Sequence, residues 1–218
     1  GQSAGLEDEL RVALAPIPLR CAPSSQGIYK GPEVDEAFDR NLCSTIRAQE
    51  LVRVLGSWIG GMKLVRTPYT LGWIAPDAPL SPALGADDRH AFARGPRLAA
   101  QGKLTLRDEG GAQHEVDDKT LLVAAGEGRA RFATTEGVHE SQPLDPSQAR
   151  PTARPLTRRA LLEEAFSYLD TPYGWGGRAG GRDCSRFLMD VLGAFGLELP
   201  RHSGTQARAG SMTIDLSQ

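Results

Sequence analysis

Between residues 51 and 140, glycine and proline cut each apolar run before it reaches the length of a helix. The first runs are LVRVLGSWIGG at 51–61, MKLVRT at 62–67 and TLGWIAPDAP at 70–79, rich in the Val, Ile and Trp that suit a pleated strand. In a second set, Leu104 and Leu106 alternate in KLTLRDEGG, and TLLVAAGEG and GRARFATTEG each end at a turn containing glycine. These runs predict strands, divided into two small β-barrels over 51–88 and 89–140. The 25 glycines and 15 prolines of the chain fit many turns between short strands and speak against a helix bundle.

The flanks read differently. Residues 6–15 and 33–50 have helical spacing, with Val34, Ala37, Phe38 and Leu42 on one face, and Pro16, Pro18 and Pro23 interrupt the stretch between them. They predict a helical N-terminal clip over 1–50. Residues 141–155 hold four prolines and no aromatic side chain, the composition of an extended interdomain linker. Beyond it, Thr157 is placed to cap a helix that lines up Leu162, Phe166 and Leu169 and stops before Pro172. The last unit then covers 156–218, and the expected fold class is α+β.

With 40% hydrophobic and 24% charged residues the composition is that of a globular chain, and 25 basic against 27 acidic side chains give no electrostatic ground for a nucleic-acid partner. No stretch approaches the roughly 20 apolar residues of a membrane span. The sequence starts at Gly1 without a signal segment, so a signal peptide removed earlier is compatible with a periplasmic or secreted location. Three cysteines cannot all pair. A Cys21–Cys43 bridge would add about 3 kcal/mol in the chain-entropy account of disulfides; two unpaired buried thiols are the other reading.

The stretch from Asp170 to Gln206 carries chemistry. Five of the eight residues from Gly174 to Gly181 are glycine, which lets the backbone take positive φ and lie close to a ligand. Asp183-Cys184-Ser185 follows, then Phe187, Leu188, Val191, Leu192 and Phe195 with the spacing of a helix buried along one face. Cys184 is thereby set at a helix amino terminus, where the dipole and free amides favour a thiolate. Asp183 opposes this as a neighbouring negative charge unless it caps the helix and is neutralised there. A buried structural cysteine is the bland alternative. Gly174, Gly176 and Ala179 also formally fit a dinucleotide-binding fingerprint, but a helix precedes the glycines where a strand is required.

Three blocks, TPYGWGG at 171–177, DCS at 183–185 and LPRHSGTQ at 199–206, together resemble the NlpC/P60 cysteine peptidases, papain-like bacterial enzymes that cut cell-wall peptides. The resemblance covers about 156–218, and the strand-rich segments upstream resemble the bacterial SH3-type domains that often precede such catalytic domains. It implies Cys184 as nucleophile of an acyl-enzyme mechanism, Trp175 lining the cleft, and Asp183, Ser185 and Ser203 holding the amino terminus and backbone of a peptidoglycan stem peptide. The implied reaction is cleavage between the γ-carboxyl of D-glutamate and a diamino acid, usually diaminopimelate, in peptides with an unblocked L-alanine. An SH3-type domain would close one end of the cleft, with Tyr69 its candidate aromatic residue and core or turn packing the competing role. No cofactor and no metal are implied.

Amide cleavage by a thiolate needs a proton carrier, usually His oriented by a third polar group. The family places both downstream of the cysteine, on strands, with the His expected about fifty residues on; Gln218 lies 34 residues after Cys184. His90, His114 and His139 precede the nucleophile, and His202 falls inside a binding block. The sequence therefore reads as the nucleophile half of a catalytic domain, inactive alone and completed by further chain or a separate C-terminal polypeptide. The competing expectation is a non-catalytic module that binds cell-wall peptide. Arg186 stands where the family usually has glycine, and it would alter the cleft, offer a guanidinium to substrate carboxylates, or lie on the helix surface.

Overall fold

The computed structural model describes residues 6–31, 34–58, 60–152 and 154–210. Its amino-terminal half is a six-stranded antiparallel sheet in the order β1-β4-β5-β6-β2-β3, built from β1 (Leu6–Val12), β2 (Ile17–Arg20), β3 (Leu42–Ile46), β4 (Leu51–Ser57), β5 (Lys63–Arg66) and β6 (Leu71–Ile74). Three of these strands come from the segment expected to be a helical clip. LEDELRV carries a period of two beneath its helical spacing, with Leu10 and Val12 alternating against Glu9 and Arg11, and pairing with β4 at Leu10↔Arg53 and Val12↔Leu51 selects it. In 33–50, Asp35 caps only a single 3-10 turn at Glu36–Phe38. The Asp39 carboxylate then accepts the amides of Ile28 and Asn41, each at 2.9 Å, and bends the chain into β3. Leu42, Ser44 and Ile46 alternate inward along β3. Pro18 is tolerated because β2 meets β6 only at Arg20↔Trp73, leaving no partner for the amide it lacks.

The expected barrel over 51–88 is also absent. Strands β4 to β6 fall where the runs predicted them, but they form the middle of the larger sheet. The second expected barrel divides into a five-stranded antiparallel sheet and a hairpin. The sheet runs β12-β11-β10-β7-β13, from β7 (Arg97–Ala100), β10 (Leu121–Gly126), β11 (Arg129–Ala133), β12 (Val138–Glu140) and β13 (Ala149–Pro151); β8 (Leu104–Arg107) and β9 (Gln113–Val116) pair with each other. Strand β13 lies in the proline-rich segment and pairs Ala149 with Ala100. A helix, α1 (Ala86–Arg94), lies across the boundary drawn between the two expected barrels and buries Phe92.

Three apolar clusters hold these parts. Ile17, Leu19, Ile46, Val52, Val54, Val65 and Ile74 fill the first sheet, and Leu104, Leu106, Val116, Leu122 and Phe132 lie between the hairpin and the second. Val12, Leu84, Phe92, Val123 and Ala133 join the two sheets through α1. Gln49 strengthens that junction: its buried amide donates to the Ala133 carbonyl at 3.0 Å and accepts the Ala133 amide at 2.8 Å.

After β13 the chain forms α2 (Arg158–Phe166), a glycine-rich 3-10 turn (Trp175–Gly180), α3 (Cys184–Gly193) and the short α4 (Ser203–Gln206). This region rests on β3. Thr45 Oγ1 donates to the Gly176 carbonyl at 3.0 Å, and Arg47 forms a bidentate pair with Asp190 of α3 at 2.9 and 2.6 Å. The contact needs glycine: at Gly176, φ +63°, a Cβ would stand 2.6 Å from Leu42. No helix among the described residues is long and apolar enough to cross a membrane.

Candidate active site

Helix α3 starts at the residue read as its nucleophile. Cys184 is its first residue, exposed, and the free thiol of the described cysteines, because Cys21 and Cys43 form a disulfide. Asp183 is the N-cap, and its Oδ1 accepts the Arg186 amide at 2.9 Å. The expected conflict between this carboxylate and a thiolate is met by Arg201, whose side chain is 2% exposed. Its Nη1 and Nη2 donate to Oδ1 and Oδ2 of Asp183 at 2.9 and 2.6 Å, while Gly176 N donates to Oδ2 at 3.0 Å. Burial alone would raise the Asp183 carboxyl, but the Arg201 guanidinium and the Arg186 amide hold it below the usual carboxylate range. The charge beside Cys184 is thus neutralised from the side away from solvent.

Ser185 is buried in the same knot, accepting from Arg201 Nη1 at 2.6 Å and donating to Asp183 Oδ1 at 3.0 Å. Arg201 Nε also donates to Ser44 of β3 at 2.9 Å, and its amide donates to the Tyr69 carbonyl at 3.1 Å. Ser203 begins α4 and is exposed; Gln206 docks that helix by donating to the carbonyls of Ser185 and Pro200, both at 2.9 Å. Trp175 Nε1 donates to the Asp39 carbonyl at 2.9 Å, which ties the glycine turn to the loop between β2 and β3. The three sequence blocks therefore meet around the start of α3.

Tyr69 is partly buried and donates to Glu50 Oε2 at 2.5 Å. Burial first, and then the Glu50 charge, push its hydroxyl far above the ordinary range. The other Glu50 oxygen accepts from Arg186 at 3.0 Å, and Arg186 reaches Asp190 at 3.0 Å as well. Arg186 is neither a surface residue nor a free guanidinium; it is buried between α3 and the first sheet. Asp190 gathers Arg47, Arg182 and Arg186, and although burial opposes its charge these arginines lower its carboxyl to about 2.

Several residues of this site were not read from the sequence. Arg201 lies inside the third block, yet nothing in linear spacing shows that it folds back on Asp183. Glu50 and Asp190 gave no signal, because their partners come from other elements. Tyr173, inside the first block, is exposed; loss of surrounding water raises its hydroxyl first, followed by the charges of Asp183 and Cys184, against Arg201. His90 lies in α1, His114 on β9, His139 on β12 and His202 before α4. Among the described residues no hydrogen bond reaches the Cys184 thiol.

Residues 170–218 match the model of the NlpC/P60 family. A γ-D-glutamyl-L-lysine dipeptidyl-peptidase of Bacillus subtilis (strain 168) is 33% identical over 110 residues, which are 48% of this chain and 36% of that protein. The chain thus spans little more than a third of that relative. Among solved structures, an NlpC/P60 endopeptidase from Photobacterium damselae subsp. piscicida aligns with a TM-score of 0.70 at 18% identity, over 91% of this chain and 45% of that one. An NlpC/P60 family protein from Bacillus cereus ATCC 10987 aligns with a TM-score of 0.65 at 20% identity, over 95% and 79%. Both likenesses concern the fold.

Proposed function

We propose that Cys184 is the nucleophile of a secreted or periplasmic cysteine peptidase that opens peptidoglycan stem peptides between D-glutamate, through its γ-carboxyl, and a diamino acid. The observation that carries the reading is the free thiol exposed at the first position of α3, with the one adjacent carboxylate neutralised by Arg201. The B. subtilis relative, named for the γ-D-glutamyl-L-lysine bond, supports the substrate class. In the reaction the thiolate attacks the γ-carbonyl carbon of D-glutamate to form a thioester, and the diamino acid leaves as an amine after taking a proton. Water then hydrolyses the thioester and returns the thiol. The amides of Cys184 and Ser185 at the start of α3, unlike that of Arg186, which the Asp183 cap takes up, suit the developing oxyanion. The proton carrier is a histidine supplied beyond the described residues, and the unblocked L-alanine is held at the start of α3 and α4.

The test is release of L-Ala-D-Glu from L-Ala-γ-D-Glu-diaminopimelate and from its L-lysine counterpart by the full-length encoded protein. Cys184→Ala should lower release by about a thousandfold or more. Equal rates would remove Cys184 as the nucleophile. Retention on purified cell wall with no turnover of either peptide would favour a binding module instead.

A further inference from the structure

Strand β3 is the ledge on which the nucleophile's segment rests, and it is lightly held. It lies at the edge of the first sheet with β2 as its neighbour, and β2 meets β6 at the single pair Arg20↔Trp73. The β2–β3 register also breaks. Leu19 pairs with Ser44 and Arg20 with Leu42, so that Cys43 is the extra residue of a bulge. That residue is the one bonded to Cys21, with Cα atoms 5.2 Å apart and a sequence separation of 22. The residues around it in β3 are the ones that touch the catalytic segment. Leu42 lies against Gly176, Ser44 accepts from Arg201 Nε at 2.9 Å, and Thr45 donates to the Gly176 carbonyl at 3.0 Å. Cys21 is exposed and Cys43 half-buried, which opens the bond to a reductant in solvent. A regular ladder with Arg20 opposite Cys43 would satisfy the same backbone groups as the bulge, and it would shift Leu42 by one residue. The disulfide holds Cys43 beside Cys21 and with it the bulged register.

We propose that the Cys21–Cys43 bond is a redox switch that sets how firmly the nucleophile's segment is docked on β3. A thiolate of a dithiol reductant attacks the Cys21 sulfur and Cys43 leaves as a thiolate; the second thiol of the reductant then displaces Cys21. Two electrons and two protons pass to the bond, thiols remain at Cys21 and Cys43, and the reductant closes to its own disulfide. The freed bulge draws Leu42 away from Gly176 and Ser44 away from Arg201, which loses its hold on the first sheet. Reoxidation restores the register. The switch goes beyond the peptidase reading, which enters only where turnover is measured. It also reverses an ordinary sign: a thiol peptidase keeps or gains activity in a dithiol, which protects its nucleophile, whereas this site loses it.

Hydrogen exchange on the full-length encoded Cys184→Ala protein reads the docking without a peptide. Dithiothreitol should speed exchange over 42–46 and 174–186 about tenfold, while 121–133 in the second sheet stays within about twofold. Cys21→Ser with Cys43→Ser should show the fast pattern with and without dithiothreitol. Unchanged exchange over 174–186, once mass spectrometry shows the bond to be open, overturns the proposal. An equal rise over 121–133 overturns it too, because the bond would then be a staple of the whole fold. With Cys184 restored, release of L-Ala-D-Glu from L-Ala-γ-D-Glu-L-Lys should fall about tenfold in dithiothreitol and return when the bond reforms in air. If exchange responds but no peptide is cut in either state, the peptidase reading fails and the switch stands; if peptide is cut equally fast with the bond closed and open, the switch alone fails.

Discussion

Helices α2 and α3 begin alike and then part. Each is closed by a side-chain cap, Thr157 accepting the Ala160 amide and Asp183 accepting that of Arg186. Helix α2 leaves its apolar stripe in the open, Leu162 at 47% and Phe166 at 61% exposure, while α3 buries Ser185, Arg186 and the Asp190 side chain. Val191 is buried too, but Leu188 on the same apolar stripe is exposed. The face of α3 that meets the first sheet is therefore its ionic one. Periodicity shows that a helix has two faces; it does not show which face the rest of the chain covers. Here the choice is made by charge: the turn between β3 and β4 presents Arg47 and Glu50, and α3 answers with Asp190 and Arg186.

Such a buried ionic face is costly to break, and removing one partner leaves the other uncompensated. The largest effect is expected at Arg201. In Arg201→Met the Asp183 carboxylate, buried and still linked to amides, loses both guanidinium bonds, and unfolding in urea at pH 7 should cost less by about 4 kcal/mol than in the wild type. The pH dependence has a definite sign. The folded carboxyl of Asp183 is lowered, so its contribution is complete above the ordinary value near about 4 and is lost as the pH falls toward the folded value. The gap between wild type and variant should therefore narrow at pH 3.5. A gap that is constant with pH would mean that the pair does not act through charge.

Legibility followed locality. Strands β4, β5, β6, β8, β10 and β11 were visible because alternation and glycine turns are written in neighbouring residues. The caps at Thr157 and Asp183 and the glycine turn were legible for the same reason. The amino-terminal strands were misread because LEDELRV satisfies both periods, and only its partner Val52–Val54 on β4 decides between them. Barrel closure and sheet order were beyond reach, since strands 30 or more residues apart carry no signal of pairing. In the site, Cys184 and its helix could be named, but the residues that neutralise its surroundings, Arg201 with Asp183 and Arg186 with Glu50, are 18 and 136 apart in sequence. A buried arginine in particular contradicts its usual place at the surface and is found only from its partners.

The second effect sharpens the contrast on α3 itself. Asp190→Asn leaves Arg47, Arg182 and Arg186 facing one another with Glu50 as the remaining carboxylate of the cluster, and it should destabilise by about 3 kcal/mol at pH 7. Because the Asp190 carboxyl is lowered to about 2, the wild type should lose this stability between about pH 4 and pH 2 as the group takes up its proton. The variant has no such group and should show a flatter acid limb. An equally steep limb in Asp190→Asn would assign the acid sensitivity to other lowered carboxylates, Asp183 and Asp39 among them.

The smallest effect belongs to α2 and is the one able to undo the contrast. If Leu162 and Phe166 face water, Leu162→Ser removes apolar area that folding never buried, and its thermal unfolding should stay within about 0.5 kcal/mol of the wild type. The helix has no other claim on that side chain: its cap at Thr157 and the Arg154 and Lys119 pairs with Glu164 lie on other faces. A loss of about 2 kcal/mol, the scale of a covered leucine, would show that the stripe is packed in solution. Helices α2 and α3 would then differ in what covers them and not in whether they are covered, and the ionic face of α3 would stand as an exception to be explained by Arg186 alone.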